Sequence, residues 1–318
     1  MANIIQTEHR IASVEPGYRF YLRNKRRSDL SQANAAGTVL FVHGATYASS
    51  LTFDYAIEGV SWMDQLAQQG FDTWCIDLLG YGKADRPSAM DEPAENHPPI
   101  CDTRTAVDDV SRAMAFIRDL RQLPALNLIG YSWGTAIAGT FAGEQPETVS
   151  KLVLYGALWV KAGATSGLAP TTLGAYRLVD SEAASKRWAQ GLSQAEMDAI
   201  VPPARVEHWC QTVLASDPWV VTKQSQALRA PTGVIKDFMH FSATASSWYS
   251  PQKIQAPTLI VVGDRDRETT PEQCQIVFSQ LDKAPSKRLT IIGRGTHSLL
   301  LENRRNELHA VVSEFLLG

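Results

Sequence analysis

A serine between two glycines stands at the junction of a predicted strand and a predicted helix. Residues 130–134 read Gly-Tyr-Ser-Trp-Gly, after the apolar run 126–129 and before the small residues 135–138. Glycines two positions before and after the serine suit a sharp strand-to-helix turn, where a Cβ would clash with neighbouring backbone. This context predicts that Ser132 is a nucleophile rather than part of an ordinary Gly/Ser turn.

A nucleophilic serine needs a base, and the base needs an acid that orients it. Downstream of Ser132, a β-branched run ends at Asp264 and Asp266, and a later short strand leads through a glycine-rich loop to His297. The carboxyl ends of parallel strands meet at one edge of a sheet, so these side chains are expected close to the serine. The sequence therefore predicts His297 as the base and one of the two aspartates as the acid.

His43 is a rival for the base, because it closes another predicted strand. It precedes Ser132 in the chain, however. Where a nucleophilic serine stands in this kind of strand-to-helix turn, the histidine that acts as its base follows it in the sequence. The sequence His43-Gly44-Ala45 instead favours a loop that offers a backbone N–H group to an oxyanion.

Five motifs, taken in their order along the chain, resemble the α/β-hydrolase superfamily and specifically its branch with an inserted cap. The resemblance runs from about Thr38 to the carboxyl terminus and implies a mostly parallel, doubly wound α/β sheet with an inserted helical cap. The motifs are His43-Gly44, Asp77 to Gly82, Gly130 to Gly134, Gly263 to Asp266, and Gly295-Thr296-His297.

The resemblance also implies a role for each residue of the site. Ser132 is the nucleophile and His297 the base. Asp266 is preferred to Asp264 as the acid, because this family usually carries the acid three residues after the glycine that stands here at 263.

The oxyanion hole that the resemblance implies consists of the backbone N–H groups of Ala45 and Trp133. Tyr47 follows two residues after Ala45 and is a candidate for an additional hydroxyl donor. The alternative is a tyrosine that merely packs under the cap.

Several chemistries use such a triad. The predicted function is hydrolysis of a small, hydrophobic or aromatic ester or amide through an acyl-enzyme. C–C bond hydrolysis and perhydrolysis of the haloperoxidase type remain alternatives on the same triad, and a non-catalytic ligand-binding protein of this fold is a third. Haloalkane dehalogenases and epoxide hydrolases use an aspartate as nucleophile, so Ser132 argues against both.

Composition limits the partners. The 318 residues are 44% hydrophobic and 20% charged, with a formal net charge of −3 and a pI near 6.2. This balance supplies no basic field for nucleic acid or an anionic membrane, so a small-molecule substrate, which the resemblance implies, is the expected partner. The basic run 23–27 is expected in a solvated hairpin or loop.

The sequence also bears on membrane-spanning and secretory segments and on metal and cofactor motifs. No apolar stretch approaches the length of a membrane-spanning helix, and the first residues do not follow a secretory pattern, so a cytoplasmic protein is expected. The sequence contains no metal-ligand spacing and no phosphate-binding glycine loop, so neither a metal nor a cofactor is predicted.

Apolar runs alternate with helical periodicity, which predicts a parallel sheet covered on both faces. A stripe at helical spacing, 107, 110, 114, 117 and 120, is predicted to face the core. The predicted strands are 10–14, 18–22, 38–42, 72–77, 126–129, 151–155, 258–262 and 288–292. The predicted helices of the sheet domain are 59–69, 103–123, 134–143, 271–281 and 298–317.

About a hundred residues separate the strand that ends at Tyr155 from the one that starts at Thr258, far more than a single crossover needs. We therefore expect a core domain, 1–156 with 251–318, and a helical cap, 157–250. The cap holds five of the eight tryptophans, and an aromatic pocket over Ser132 is predicted from them. They are Trp159, Trp188, Trp209, Trp219 and Trp248.

Overall fold

The computed structural model describes residues 3–30, 33–34, 36–159, 172–244 and 246–318. The strands are β1 (Ile4–Ala12), β2 (Arg19–Arg27), β3 (Thr38–Val42), β4 (Asp72–Asp77), β5 (Leu126–Tyr131), β6 (Val149–Tyr155), β7 (Tyr176–Asp180), β8 (Ala227–Pro231), β9 (Thr258–Gly263) and β10 (Lys287–Ile292). The helices are α1 (Trp62–Gln68), α2 (Thr103–Arg121), α3 (Trp133–Glu144), α4 (Ser181–Trp188), α5 (Gln194–Ile200), α6 (Pro203–Ala215), α7 (Pro218–Lys223), α8 (Gly233–Thr244), α9 (Pro271–Ser279) and α10 (Arg305–Leu317). No helix among the described residues is long and apolar enough to cross a membrane.

Eight strands form one sheet in the order β1-β2-β4-β3-β5-β6-β9-β10. β2 pairs antiparallel with both β1 and β4, and the remaining neighbours run parallel. The predicted fold class, a mostly parallel α/β sheet, is confirmed. The carboxyl ends of β5, β9 and β10 therefore lie at the same edge of the sheet.

Helices cover both faces of the sheet, because successive strand side chains point to opposite faces. In β3, Leu40 and Val42 join the core beneath α2, α3 and α9, whereas Val39 and Phe41 join the core beneath α1 and α10. All four side chains are fully buried. This two-sided burial is why the central strands read as continuous apolar runs.

The basic run 23–27, predicted in a solvated hairpin or loop, completes β2 and therefore lies in the β1–β2 hairpin rather than in a loop. Its side chains are compatible with the strand because acidic partners face them. Arg23 Nη1 lies 2.5 Å from Asp54 Oδ2, and Lys25 Nζ contacts Asp54 and Asp64 at 2.6 and 2.8 Å. The paired strand β1 is correspondingly longer than predicted and begins at Ile4.

The predicted core stripe on α2 holds for four of its five positions. Val107, Val110, Met114 and Ile117 are buried, but Leu120 is 46% exposed. An α-helix turns by about 100° per residue, so a step of three residues falls about 60° short of a full turn. The two steps from 114 to 117 and from 117 to 120 add to about 120°. By Leu120 the stripe has left the face that packs on the sheet.

The predicted single helix over 298–317 is interrupted. A short turn occupies Leu299–Leu301, and α10 begins only at Arg305. Between them, Glu302 is extended, and its fully buried carboxylate accepts from Thr296 N at 3.1 Å and from Trp188 Nε1 at 3.0 Å. The interruption thus joins the loop that carries His297 to helix α4.

The segment 157–250, here called the insertion, is described except for residues 160–171 and 245. Its described part is chiefly helical, from α4 to α8, and it also contains the antiparallel pair β7 and β8, which the sequence analysis did not predict. The division of the chain into a core domain and a cap domain stays a prediction.

Candidate active site

Ser132 lies in a strained turn between β5 and α3, with φ 56° and ψ −122°. Positive φ is costly for a residue with a side chain. The flanking glycines permit the turn, because a Cβ on Gly130 would lie 2.3 Å from Gly134 O, and one on Gly134 would lie 2.2 Å from Val42 O. The turn holds the serine side chain at the carboxyl edge of the sheet.

His297 follows β10 in a loop that brings its ring to this serine. Its Nε2 lies 2.9 Å from Ser132 Oγ. The hydroxyls of Tyr131 and Tyr155, whose rings stack on each other, both donate to the His297 carbonyl at 2.9 Å. These two hydrogen bonds fix the backbone of the residue whose ring contacts Ser132.

Of the two aspartates after β9, the structure brings Asp266 to the histidine. Asp266 Oδ2 lies 2.8 Å from His297 Nδ1, and Oδ1 accepts from the amides of Glu268 and Thr269 at 2.9 and 2.8 Å. Asp264 is exposed, and its carboxylate accepts from Gly295 N. Asp266 is therefore the carboxylate that is held in place to orient the imidazole.

Glu268 is a second carboxylate at the histidine, and the sequence analysis did not identify it. Its Oε2 lies 3.7 Å from His297 Nε2. Burial lowers the pKa of His297, but the Asp266 and Glu268 carboxylates outweigh burial and raise it above the ordinary value. Burial would raise the pKa of Glu268, yet His297 and Arg187 bring it down to about 2, so the carboxylate stays ionised.

The backbone N–H groups of Ala45 and Trp133 border the same space. Among the described residues, neither N–H group has a hydrogen-bond acceptor. Gly44 permits the close approach of the β3 loop, because a Cβ there would lie 2.9 Å from Ser132 Cβ. Two free donors beside a serine hydroxyl suit the stabilisation of a developing oxyanion.

His43 lies at the carboxyl end of β3 and is committed to backbone hydrogen bonds. Its Nε2 accepts from Leu78 N at 3.2 Å, and its Nδ1 donates to Gly44 O at 2.7 Å. Burial lowers the pKa of His43, so the ring stays neutral. These hydrogen bonds connect the ring to Gly44, the residue before Ala45, and to the loop after β4.

Two cavities meet at Ser132. The smaller one, with about 20 Å³ of free space, lies between Tyr47, Trp188, Trp209 and His297. The larger one, of about 320 Å³, shares Ala45, Ser132, Arg187 and Glu268 with it. Its apolar lining residues are Ala45, Trp133, Leu158, Val234, Phe238 and Trp248, and its polar ones are Ser132, Arg187, Gln190, Arg267, Glu268 and Thr269. A groove of about 600 Å³ lies between α4, α5 and α6, away from Ser132.

The structure divides the predicted pocket aromatics into two groups. Tyr47, Trp188 and Trp209 line the smaller cavity, and Trp248 lines the larger one. Trp159 instead packs edge-on against Tyr249, and Trp219 lies under the Arg229 guanidinium, so the structure does not place these two in the lining of either cavity. The hydroxyl of Tyr47 is buried and has no partner among the described residues.

Arg187 of α4 is a further cavity residue that the sequence analysis missed. Its Nε donates to Glu268 Oε1 at 2.7 Å, and its Nη2 contacts the other carboxylate oxygen. Glu268 could have been suspected from its position two residues after Asp266. No sequence signal placed Arg187 at the site, because α4 reaches it only through the fold of the insertion.

A family model described as alpha/beta hydrolase fold matches residues 37–304. The chain belongs to the α/β-hydrolase fold family. Within this α/β hydrolase, the matched region includes every residue of the site described above. The family model supports hydrolase chemistry in general and leaves the substrate open.

Among curated relatives, this α/β hydrolase is similar to a putative 2-succinyl-6-hydroxy-2,4-cyclohexadiene-1-carboxylate synthase from Bacillus subtilis (strain 168). The two are 28% identical over 250 residues, which are 76% of this chain and 79% of the relative.

Solved structures share the fold at lower identity. A bacterial membrane phospholipase A superposes with a TM-score of 0.64 at 18% identity, covering 98% of this chain and 86% of the other. The 2-hydroxy-6-oxo-6-phenylhexa-2,4-dienoate hydrolase of Rhodococcus sp. strain RHA1 superposes with a TM-score of 0.63 at 15% identity, covering 99% and 100%. These likenesses bear on the fold alone.

Proposed function

We propose that this protein is a serine hydrolase that cleaves a small organic ester or amide through an acyl-enzyme. The observation that carries the proposal is the continuous chain of hydrogen bonds Ser132–His297–Asp266, with lengths of 2.9 and 2.8 Å. Such a chain activates a hydroxyl that is otherwise a weak nucleophile.

In the first step, Ser132 Oγ attacks the substrate carbonyl carbon while its proton passes to His297 Nε2. The negative charge that develops on the carbonyl oxygen is stabilised by the N–H groups of Ala45 and Trp133. Asp266 keeps the proton on His297 Nδ1, so that Nε2 is free to accept, and stabilises the imidazolium that results.

In the second step, His297 Nε2 returns the proton to the leaving oxygen or nitrogen, and the carbonyl is restored as an acyl ester of Ser132. Water then enters, gives a proton to His297 and attacks this ester. The collapse of the second tetrahedral intermediate releases the acid and returns the proton to Ser132.

The proposal is tested with a short-chain aryl ester and an active-site label. We expect a burst of aryl alcohol in the pre-steady state and a fluorophosphonate adduct on the peptide that contains Ser132. Absence of both turnover and labelling would contradict a serine hydrolase. Product analysis on a vinylogous diketone and a peroxide assay distinguish C–C bond hydrolysis and perhydrolysis.

The acid side of the pH profile reports on His297, which must be neutral to accept a proton. Because the two carboxylates raise its pKa, we expect kcat/KM to fall as the pH drops through a midpoint above the ordinary histidine value of about 6.5. Glu268→Gln should move this midpoint to lower pH, because it removes one of the carboxylates that favour imidazolium.

The matched control for this variant is Glu272→Gln, which changes an exposed carboxylate at the start of α9. Its pH profile should coincide with that of the parent. A midpoint for Glu268→Gln that equals or exceeds the parental one would show that Glu268 does not act on His297.

The position of Trp248 in the larger cavity predicts an effect on selectivity. Trp248→Ala removes apolar contact area and no hydrogen bond, since its Nε1 has no partner among the described residues. We expect a change in the ratio of kcat/KM between a bulky aromatic ester and a short-chain ester. The change should correspond to about 1–3 kcal/mol of activation free energy. Trp219→Ala, outside both linings, is the control and should keep the parental ratio.

A further inference from the structure

Two arginines of the insertion converge on the loop that carries Ala45, one of the two proposed oxyanion donors. Arg177 Nη2 of β7 and Arg187 Nη1 of α4 both donate to Thr46 Oγ1, the latter at 3.2 Å. Thr46 directly follows Ala45 and has φ 77°. The geometry brings two guanidinium groups to the edge of the site.

The two positive charges are not equally compensated. Arg187 forms a two-point ion pair with Glu268. Arg177 has no carboxylate within 4.0 Å among the described residues, and its buried Nη1 has no acceptor there. The other nearby carboxylate, Asp266, is already occupied by His297 and by the amides that follow it.

A buried guanidinium without a counter-ion is unfavourable for the folded protein. Burial and the neighbouring Arg187 lower the pKa of Arg177, and Tyr81, Tyr47 and Glu268 offset this only in part. Arg177 also interacts electrostatically with Tyr47 and Glu268, two residues of the smaller cavity. Arg177 itself lines neither cavity, but Thr46, to which it donates, stands between Ala45 and Tyr47 of the smaller cavity. The free space of about 20 Å³ there must widen to admit a ligand group.

The Tyr47 hydroxyl is the second unused donor. It is buried without a partner in the part of the chain that the structure describes, and the Arg187 guanidinium lies 6.0 Å from the centre of its ring. A guanidinium N–H group and a phenol O–H group match the oxygens of one carboxylate, which would also add a negative charge beside the two arginines.

We propose that the substrate carries a carboxylate on its acyl portion and that Arg177 and Tyr47 bind this group. The inference rests on the proposed hydrolase function. The acyl side follows from the geometry, because the acyl chain extends from the carbonyl held at Ala45, next to Thr46. A leaving group must instead reach His297 Nε2, which returns the proton to it.

The test compares two esters that differ only in charge. Monoethyl succinate carries the carboxylate, and in ethyl isocaproate an isopropyl group replaces it. We expect the parent to prefer monoethyl succinate by about tenfold or more in kcat/KM, the scale of a hydrogen bond to a charged group. Arg177→Met should lower kcat/KM for monoethyl succinate by about 10- to 100-fold and leave the value for ethyl isocaproate within about threefold.

The control is Arg205→Met, which removes an arginine of α6 that contacts Leu301 O and lines neither cavity. It should keep the parental preference. Equal rates of the parent on the two esters, or an equal loss on both in Arg177→Met, would overturn the carboxylate subsite.

A binding measurement separates this inference from the proposed function. Succinate, but not succinamide, should raise the melting temperature of the parent, because a ligand that binds only the folded state stabilises it. Arg177→Met should abolish this shift. If that variant does not fold, Tyr47→Phe should reduce the shift.

If succinate gives the shift and neither ester is cleaved, the hydrolase proposal fails and the subsite stands. If ethyl isocaproate is cleaved but succinate gives no shift and no preference exists, the subsite is wrong and the hydrolase proposal stands.

Discussion

Ser132→Ala is expected to lower kcat by about 10⁴-fold or more on any true substrate while KM changes little. The hydroxyl oxygen forms the bond to the acyl group. Without it, the residual rate of the variant comes only from substrate binding and oxyanion stabilisation. Steady-state kinetics with a short-chain aryl ester measure the effect, and the melting temperature checks that the variant is folded.

The matched control is Ser298→Ala, which removes another hydroxyl from the lining of the smaller of the two cavities at Ser132. Its kcat should stay close to that of the parent. Retention of full activity by Ser132→Ala would exclude the acyl-enzyme mechanism, whatever the behaviour of the control.

Asp266→Asn should lower kcat by about 10³- to 10⁴-fold, because an amide at this position no longer enforces the proton on His297 Nδ1. The carboxylate lies 2.8 Å from that nitrogen and is only 1% exposed. The fold should persist, since the amide oxygen can still accept from the backbone N–H groups of Glu268 and Thr269.

Asp264→Asn is the natural comparison for this variant. Asp264 lies in the same loop and is exposed, and its carboxylate accepts from the Gly295 amide of the histidine loop. We expect a far smaller loss of kcat than in Asp266→Asn. The reverse order of the two effects would show that the acid is assigned to the wrong residue.

The positions of Ser132, Asp266 and His297 at one sheet edge were predictable because each follows a strand in a local pattern of its own. Their catalytic roles stay predictions. The central strands were predictable for a related reason: burial on both faces requires continuous apolar runs, and such runs are visible in sequence.

What sequence could not supply are contacts made between distant segments. The charges of the run 23–27 predict solvation, because the sequence does not show that Asp54 and Asp64 face them. The same holds for Arg177 and Arg187, which reach the site from a strand and a helix of the insertion. Likewise, nothing in the composition of the insertion separates Trp209 and Trp248, at the cavities, from Trp159 and Trp219.

The buried carboxylate of Glu302 joins Trp188 at the end of α4 to Thr296, the residue before His297. Any displacement of α4 that takes Trp188 away leaves this buried carboxylate with fewer hydrogen-bond donors. The conformation of the histidine loop that holds the carboxylate is then destabilised. Motion of α4 and positional order at His297 are therefore linked thermodynamically: whatever stabilises one conformation of the helix also stabilises the matching conformation of the loop.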